Sequence, residues 1–277
     1  MKILVTGSNG YLGTGIVTEL LDMGHTVIAT GHHLDRVDDR AAKMPAELFE
    51  LENPYDYFDK PDVLLHLAWH NGFVHNNPSH INDLPAHYRF INKMAESGTG
   101  RIAVMGSMHE VGFWEGAIDE NTPCNPQSLY GIAKNALRQA VELSCKNNAV
   151  KLQWLRGYYI VSPIEYGCSI FSKISVAALE GKKEFPFTSG TNRYDFLDYK
   201  DFCRYTAEAV SQDDICGIIN ICSGKPESLG SRVERFIEEN GFDIRLQYGA
   251  FPDRPYDSKE IWGDNTKLLK ILSHEQV

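Results

Sequence analysis

The feature that most constrains this fold is a strand, a glycine turn, a helix and a second strand at the amino terminus. The apolar run over residues 2–6 leads directly into Gly7-Ser8-Asn9-Gly10-Tyr11-Leu12-Gly13. Apolar residues recur at helical spacing over 12–23, and a second strand is predicted over 25–30. Such glycines permit a tight turn and the close approach of a pyrophosphate to the helix amino terminus. The segment therefore predicts a dinucleotide-binding unit.

The alternation of apolar strands with helical stretches continues to about Pro163, with strand-like runs at 63–65, 101–105 and 152–156. This alternation predicts an α/β fold built on a doubly wound parallel sheet, the Rossmann arrangement. Beyond Pro163 the pattern loosens. We therefore expect a dinucleotide-binding domain over residues 1–163 and a smaller carboxy-terminal substrate-binding lobe over 164–277.

The composition favours small-molecule partners. A net charge of −10 over 277 residues disfavours nucleic acid as a partner. No apolar run reaches the length of a membrane span, and the first strand begins too early for a signal peptide. Six cysteines without paired C-x-x-C spacing indicate buried thiols in a reducing compartment, so we expect a cytoplasmic protein. The candidate cations for an anionic substrate are Arg156, Arg193, Arg245 and Arg254.

Tyr130 and Lys134 form the candidate chemical centre. Their spacing of four places both side chains on one face of a helix, one turn apart. A free phenol has a pKa of roughly 10 and is a poor base near neutrality. An ammonium one turn away favours the phenolate, so the pair can move a proton to or from a hydroxyl or carbonyl group.

Together with the glycine turn, these residues resemble the extended branch of the short-chain dehydrogenase/reductase superfamily, which includes nucleotide-sugar epimerases, dehydratases and 4-keto reductases. Further similar segments are Leu65-His66-Leu67-Ala68, residues 107–112 around a serine, and residues 119–130, 193–201 and 262–268. The resemblance implies interleaved lobes, with roughly 194–222 returning to the main sheet. It also implies a homodimer formed through helices near 85–97 and 127–147.

The resemblance assigns roles to individual residues. Ser107 would hydrogen-bond the reacting oxygen, Tyr130 would move its proton, and Lys134 would lower the tyrosine pKa and reach the nicotinamide ribose. The expected cofactor-binding residues are Gly7, Asn9, Gly10, Tyr11, Leu12, Gly13, His32, Arg36, Glu50, Leu51, Leu67, Ala68, Tyr130 and Lys134. The expected substrate-binding residues are Trp69, His70, Ser107, His109, Tyr159 and Arg193.

The end of the second strand bears on the choice of dinucleotide. An acidic residue there would bind the ribose 2′-hydroxyl of NAD and would repel the extra phosphate of NADP. This chain has Gly31 there, followed by His32, His33 and Arg36. The pattern predicts that NADP is preferred, with NAD as the alternative.

Histidines near the predicted cleft are open to more than one interpretation. His109, two residues beyond Ser107, is a candidate acid/base or an ordinary hydrogen-bonded loop histidine. His70, His75 and His80 follow one another in steps of five that match no zinc spacing, so we expect no metal. Tyr159 stands where relatives carry an asparagine that contacts substrate phosphates.

The sequence predicts an NAD(P)-dependent oxidoreductase or epimerase acting on a nucleotide-activated sugar at C4. A dehydrogenase of a free sugar or uronic acid is the alternative, because the segment 107–114 also resembles that of uronate dehydrogenases. A third hypothesis is a non-catalytic module that senses NADP. The complete set of Ser107, Tyr130 and Lys134 argues against it, since a sensor needs no proton shuttle.

Overall fold

The computed structural model describes residues 1–163, 169–252 and 258–273. The predicted lobe boundary at residue 164, together with Cys168 and Arg254, lies outside these residues. The strands are β1 (Lys2–Thr6), β2 (Thr26–Thr30), β3 (Ala42–Lys43), β4 (Val63–His66), β5 (Arg101–Ser107), β6 (Gly116–Ile118), β7 (Lys151–Gly157), β8 (Tyr159–Val161), β9 (Glu184–Pro186), β10 (Arg193–Asp198), β11 (Gly217–Ile221), β12 (Pro226–Ser228), β13 (Arg245–Gln247) and β14 (Glu260–Gly263).

Helices cover both faces of the main sheet and much of the second lobe. They are α1 (Tyr11–Asp22), α2 (Pro54–Tyr57), α3 (Ser79–Asn82), α4 (Leu84–Glu96), α5 (Leu129–Asn147), α6 (Ile170–Leu179), α7 (Tyr199–Ser211), α8 (Leu229–Glu239) and α9 (Thr266–Leu272). Within the described part of the chain, no helix has the length and apolar character needed to cross a membrane.

The main sheet has seven parallel strands in the order β11-β7-β5-β4-β1-β2-β3. This confirms the predicted doubly wound α/β fold. The chain runs outward from β1 in one direction and from β4 in the other, so a crevice opens beyond their carboxyl ends. In register, Thr6 at the end of β1 lies beside His66 at the end of β4. The glycine turn and the loop after β4 therefore flank the same crevice.

Buried side chains on the two faces of the sheet form two cores. Ile3 and Val5 point to the face covered by α1, α7 and α9, whereas Leu4 points to the face covered by α4 and α5. Successive strand residues alternate between faces, and both faces are covered, so the interior of β1 is apolar at every position. The sheet is thereby fixed between two helical layers, and its carboxyl-end edge is held in place.

The second lobe is built on a mixed sheet of order β12-β10-β14-β6, with β8 pairing to β10, and on a short β13-β9 pair. Its core contains Phe171 of α6, Phe196 of β10 and Phe236 of α8. Residues 194–222 divide between the lobes. β10 belongs to the second sheet, α7 packs on α1, and β11 is an edge strand of the main sheet. The two lobes consequently interleave.

Candidate active site

A cavity of about 1720 Å³ runs along the carboxyl-end edge of the main sheet and into the second lobe. The predicted cofactor residues that line it are Gly7, Asn9, Gly10, Tyr11, Leu12, Gly13, His32, Glu50, Leu67, Ala68, Tyr130 and Lys134. The predicted substrate residues that line it are Trp69, His70, Ser107, His109 and Tyr159. Arg36, Leu51 and Arg193 are not part of its lining.

The glycine turn has no room for side chains. Gly7 adopts a φ of +66°, and a Cβ there would lie 2.8 Å from the Ala68 nitrogen. A Cβ on Gly13 would lie 2.3 Å from the Gly7 oxygen. Gly10 is the N-cap residue that precedes α1, and no side chain caps this end of the helix. A close-packed turn and a helix amino terminus without a side-chain cap suit the pyrophosphate of a dinucleotide.

The residues after β2 differ from the expected arrangement. The Arg36 guanidinium donates to the backbone oxygen of Asn9 at 2.5 Å, and the Arg36 N–H donates to Oδ1 of Asn9 at 2.8 Å. His32 pairs with Glu47, and the Nδ1–Oε1 distance is 3.1 Å. Glu47 lines the cavity and adds a carboxylate to this end. Arg36 is therefore bonded to Asn9 of the glycine turn and is not part of the cavity lining.

Leu51, which the sequence predicts to bind the cofactor, does not line the cavity. Its backbone oxygen accepts a hydrogen bond from Nζ of Lys93 at 2.8 Å, and its side chain packs against the core under α4. The neighbouring Glu50 does line the cavity. Within a short 3₁₀ turn, adjacent residues point in different directions, so only one of the pair faces the groove.

Ser107 ends β5 and begins a 3₁₀ turn over 108–110. Its hydroxyl accepts from the His109 N–H at 3.3 Å, and its own N–H donates to Oε1 of Glu110 at 2.6 Å. This reciprocal capping fixes Ser107 at the strand end. Burial raises the pKa of Tyr130 to about 12, and a hydrogen bond with the Ser107 side chain acts in the opposite direction. Ser107 and Tyr130 are thus brought together on one wall of the cavity.

Lys134 lies one turn beyond Tyr130 on α5 and is almost fully buried. Its Nζ donates to the Met105 oxygen at 2.8 Å and lies 3.8 Å from the centroid of the Trp69 ring. Burial lowers the pKa of Lys134 to about 7, while the Glu110 carboxylate acts against this. The spacing predicted from the sequence therefore places an ammonium of reduced basicity beside the phenol.

The loop between β4 and α3 folds over Tyr130. The His75 oxygen accepts the Tyr130 N–H at 2.8 Å, and the two rings stack with centroids 5.4 Å apart. The His109 ring lies 4.3 Å from that of His75, and burial, followed by His75, lowers the His109 pKa to about 4. Sequence reasoning missed the contact of His75 with Tyr130, because a loop residue carries no periodic signal for a neighbour 55 positions away.

The other loop histidines have separate partners. His80 accepts from Nε1 of Trp69 at 3.0 Å, and its second nitrogen lies 3.0 Å from the Val74 oxygen. His70 is exposed, with Nδ1 3.4 Å from a carboxylate oxygen of Asp83. Among the described residues, no group of three or more histidine, cysteine or acidic side chains is arranged to hold a metal ion.

Among the described residues, the candidate arginines Arg156, Arg193 and Arg245 do not line the cavity. Arg156 is completely buried beside Glu110, and Arg193 donates to the Pro226 oxygen at 2.8 Å and pairs with Glu260. Arg245 lies on β13, outside the cavity. Of the lysines and arginines in the described part of the chain, Lys134 alone lines it.

Tyr159 contributes an aromatic wall in the second lobe. Its ring lies 4.8 Å from that of Tyr194 and 5.7 Å from that of Phe196, measured between centroids. All three residues line the cavity. Among the described residues, the end of the cavity away from the glycine turn is therefore lined by aromatic, aliphatic and uncharged polar side chains.

Comparison with known proteins places this geometry in context. A model of the NAD dependent epimerase/dehydratase family matches residues 3–222. The chain is 45% identical over 271 residues to a dTDP-6-deoxy-L-talose 4-dehydrogenase (NAD(+)) of Aggregatibacter actinomycetemcomitans, with 95% of this chain and 99% of that protein covered. A GDP-6-deoxy-D-talose 4-dehydrogenase of the same organism is 21% identical over 291 residues, covering 99% of this chain and 92% of that protein.

Solved structures share the fold at low sequence identity. A UDP-glucose 4-epimerase superposes with a TM-score of 0.85 at 17% identity, covering 100% of this chain and 92% of the other. MoeE5 in complex with UDP-glucuronic acid and NAD superposes with a TM-score of 0.78 at 23% identity, covering 99% and 93%.

Proposed function

Because the chain belongs to the NAD dependent epimerase/dehydratase family, we propose that it interconverts the 4-hydroxyl and 4-keto forms of a nucleotide-linked 6-deoxyhexose, with NAD as hydride carrier. The observation that carries this proposal is the meeting of Ser107, Tyr130 and Lys134 on one wall of a cavity whose other end is the glycine turn. Full-length similarity to a 6-deoxytalose 4-dehydrogenase supports the choice of sugar and of carbon atom.

Tyr130 exchanges the proton of the C4 oxygen. In reduction its phenol donates the proton to the carbonyl oxygen, and in oxidation its phenolate accepts it. Ser107 donates a hydrogen bond to the same oxygen and steadies the charge that develops there. The Lys134 ammonium, one turn away, favours the phenolate in this proposal. Burial is the larger influence and raises the Tyr130 pKa to about 12, opposite to the lowering predicted from the sequence. When bound, NAD supplies a nicotinamide ring that accepts or returns the hydride.

NAD fits the ribose end of the groove better than NADP does. The predicted preference for NADP depends on Arg36, whose guanidinium is bonded to the backbone of Asn9. Glu47 and Glu50 both line this end of the cavity, and a 2′-phosphate placed near carboxylates would be repelled. The similarity to a relative whose name specifies NAD(+) supports the same choice.

A neutral hexose fits the catalytic end better than a uronic acid does. Among the described residues, Lys134 is the only lysine or arginine that lines the cavity. Its ammonium already contacts the Met105 oxygen and the Trp69 ring. A sugar carboxylate would be taken out of water there without a dedicated cation, which is costly. The same lack of a cation among the described lining residues would also disfavour a nucleotide pyrophosphate. The full-length similarity to a dTDP-6-deoxy-L-talose 4-dehydrogenase is therefore what ranks a nucleotide-linked deoxyhexose above a free uronic acid.

His109 has a structural role in this proposal. Burial lowers its pKa to about 4, so its ring is neutral near pH 7. A neutral imidazole packed against His75 can orient the sugar by hydrogen bonding. It is poorly suited to supply a proton to a second sugar carbon.

The assembly proposed is a homodimer formed through α4 and α5. These helices pack against each other and leave Tyr88, Ile132 and Leu143 at least one-third exposed, although all are large and apolar. Leu143→Glu would place a charge in such an interface. Light scattering should then report a dimer for the native protein and a monomer for the variant, whereas a native monomer would refute the proposal.

The test of function uses dTDP-6-deoxy-L-talose as substrate. We expect NADH to form and a 4-keto sugar nucleotide to appear by mass spectrometry, and we expect neither product with Tyr130→Phe. UDP-glucose and free galacturonic acid serve as comparison substrates. Conversion of the talose nucleotide to its C4 epimer without accumulation of NADH would show an epimerase, and turnover of galacturonic acid alone would overturn the proposal.

A further inference from the structure

Glu110 is a completely buried carboxylate directly beneath the catalytic serine. Its two oxygens accept from Nε1 of Trp154 at 3.0 and 2.9 Å. Nη2 of Arg156, also completely buried, lies 3.6 Å from Oε2, and Nε of Arg138 lies 4.0 Å from it. A buried carboxylate is costly unless such donors and cations surround it, so this group needs an explanation.

The carboxylate is joined to the active site through the main chain. Oε1 of Glu110 accepts the Ser107 N–H at 2.6 Å, and the Ser107 hydroxyl accepts the His109 N–H in return. Gly106 makes room for this contact, because a Cβ there would lie 2.1 Å from Nε1 of Trp154 and 2.7 Å from Oε1 of Glu110. The position of the Ser107 main chain, which carries the hydroxyl, therefore depends on where Glu110 is held.

The geometry points to Glu110 as a positioning residue, whose carboxylate fixes Ser107 and supplies the negative charge facing Tyr130 and Lys134. The inference rests on the proposed oxidoreduction at C4. Glu110 does not line the cavity and so acts through other residues. A capping turn at this position needs only an acceptor for the Ser107 N–H, which a glutamine would also provide.

Burial raises the pKa of Glu110 itself, whereas Arg156 and the hydrogen bonds from Ser107 and Trp154 favour its charged form. The charges around Glu110 decide what its removal would do. It faces Arg156 and Tyr158 from the β7–β8 region, and Arg138, Tyr130 and Lys134 from α5. Burial is the larger influence on both catalytic groups, lowering the pKa of Lys134 and raising that of Tyr130. The Glu110 charge raises both pKa values. Without that charge, both groups therefore release their protons at lower pH.

Two substitutions separate the charge from the hydrogen bond. Glu110→Gln keeps an acceptor near Ser107 and removes the charge. Glu110→Asp keeps the charge and draws it back from the Ser107 N–H. Because Glu110→Gln leaves Arg156 buried without a counter-charge, the double variant Glu110→Gln/Arg156→Met is measured beside it to keep the fold testable.

In the reduction direction the active form carries Tyr130 as phenol and Lys134 as ammonium, so activity is lost as pH rises. This loss is the high-pH limb of the pH–activity profile. We expect Glu110→Gln and the double variant to move that limb to lower pH. We expect Glu110→Asp to leave the limb in place and to lower kcat by roughly tenfold to a hundredfold with little change in KM. A uniform loss of activity in all three variants, with no movement of the limb, would show a merely structural residue and overturn the inference.

A measurement without substrate keeps the inference distinct from the proposed function. NMR of isotope-labelled lysine side chains, assigned with Lys134→Met, follows the titration of Lys134 directly. We expect Lys134 to titrate at lower pH in Glu110→Gln than in the native protein. If the native protein fails to turn over the sugar and this shift is present, the function is wrong and the role of Glu110 stands. An unchanged titration overturns the role whatever the substrate.

Discussion

The ammonium of Lys134 lies 3.8 Å from the centre of the Trp69 ring, inside cation–π range. The His87 ring stacks on the same ring system, with centroids 4.5 Å apart. Trp69 thus contacts both a cation and a neutral aromatic ring. It comes from the loop that follows β4, so this loop contributes directly to the environment of the catalytic lysine.

Trp69→Leu should lower the activity near neutral pH by weakening the charged state of Lys134. A desolvated cation–π contact is worth about 0.5–2 kcal/mol, and its loss favours the uncharged amine. The pKa of Lys134, about 7 in the native protein, would fall. The high-pH limb of the activity profile for carbonyl reduction would then move to lower pH. Trp69→Phe retains an aromatic face and should give a smaller movement. Identical pH–activity profiles for Trp69→Leu and Trp69→Phe would contradict a cation–π role for Trp69.

Tyr130→Phe should reduce kcat by roughly 10²–10⁴-fold, because it removes the group that exchanges the substrate proton. NADH affinity, followed by fluorescence titration, should change little. The ring remains to stack on His75, so the fold of the loop should be preserved. A variant that keeps most of its activity would mean that another residue moves the proton.

Some parts of this site could be predicted because they depend on contacts close in sequence. Tyr130 and Lys134 lie one turn apart on a single helix, and the glycine turn is a contiguous segment. Local spacing therefore predicted their geometry. The alternation of strands and helices likewise predicted a parallel sheet, since each crossover is made by a nearby helix.

Other parts could not be predicted because they depend on pairings between distant strands. The register of β5 on β7 sets Val104 beside Trp154 and Gly106 beside Arg156. This register brings the side chains of Trp154 and Arg156 to Glu110. No spacing in the sequence specifies that register. The hydrogen bonding of Arg36 could not be predicted for a different reason. The direction of an exposed side chain is settled by neighbouring acceptors such as the Asn9 oxygen, and its position along the chain carries no such information.

NADH should bind more tightly than NADPH in a fluorescence titration, because two carboxylates line the ribose end of the cavity. Glu47→Gln should narrow the ratio of the two affinities by about fivefold, which corresponds to ~1 kcal/mol between partly solvated charges. Glu52→Gln is the matched control, since Glu52 does not line the cavity. Tighter binding of NADPH to the native protein would restore the preference predicted from the sequence.

Gly13→Ala should weaken dinucleotide binding by tenfold or more. The new Cβ would lie 2.3 Å from the Gly7 oxygen, so the turn must open or α1 must shift, at a cost of about 1–3 kcal/mol. Gly100→Ala is the control, because its Cβ would meet the Asp62 oxygen at an ordinary 3.5 Å. The comparison uses NADH titration together with thermal unfolding of both variants. Equal NADH affinities for Gly13→Ala and Gly100→Ala would show that the turn tolerates a side chain at position 13.

The stability of the fold should fall in acid because of two buried histidines. Thr6 Oγ1, His66 and His87 form a hydrogen-bonded chain with both donor–acceptor distances at 2.9 Å. Burial, with smaller contributions from neighbouring cations, lowers the pKa of His66 to about 3 and that of His87 to about 2. Both rings are therefore neutral in the folded protein, whereas in the unfolded chain they titrate near 6.5.

The sign of the effect follows from these values. Above pH 6.5 the stabilisation from neutral burial is complete, and it is lost as the pH falls from 6.5 towards 3. Within that window each histidine contributes a slope of about 1.4 kcal/mol per pH unit to the free energy of unfolding. His87→Asn should reduce the slope by about 1.4 kcal/mol per pH unit, the contribution of one proton, as measured by urea unfolding at several pH values. Phe90→Leu, which trims the core beside His66, should lower the free energy of unfolding at every pH and leave the slope unchanged. An unchanged slope in His87→Asn would mean that His87 is charged or exposed in the folded protein.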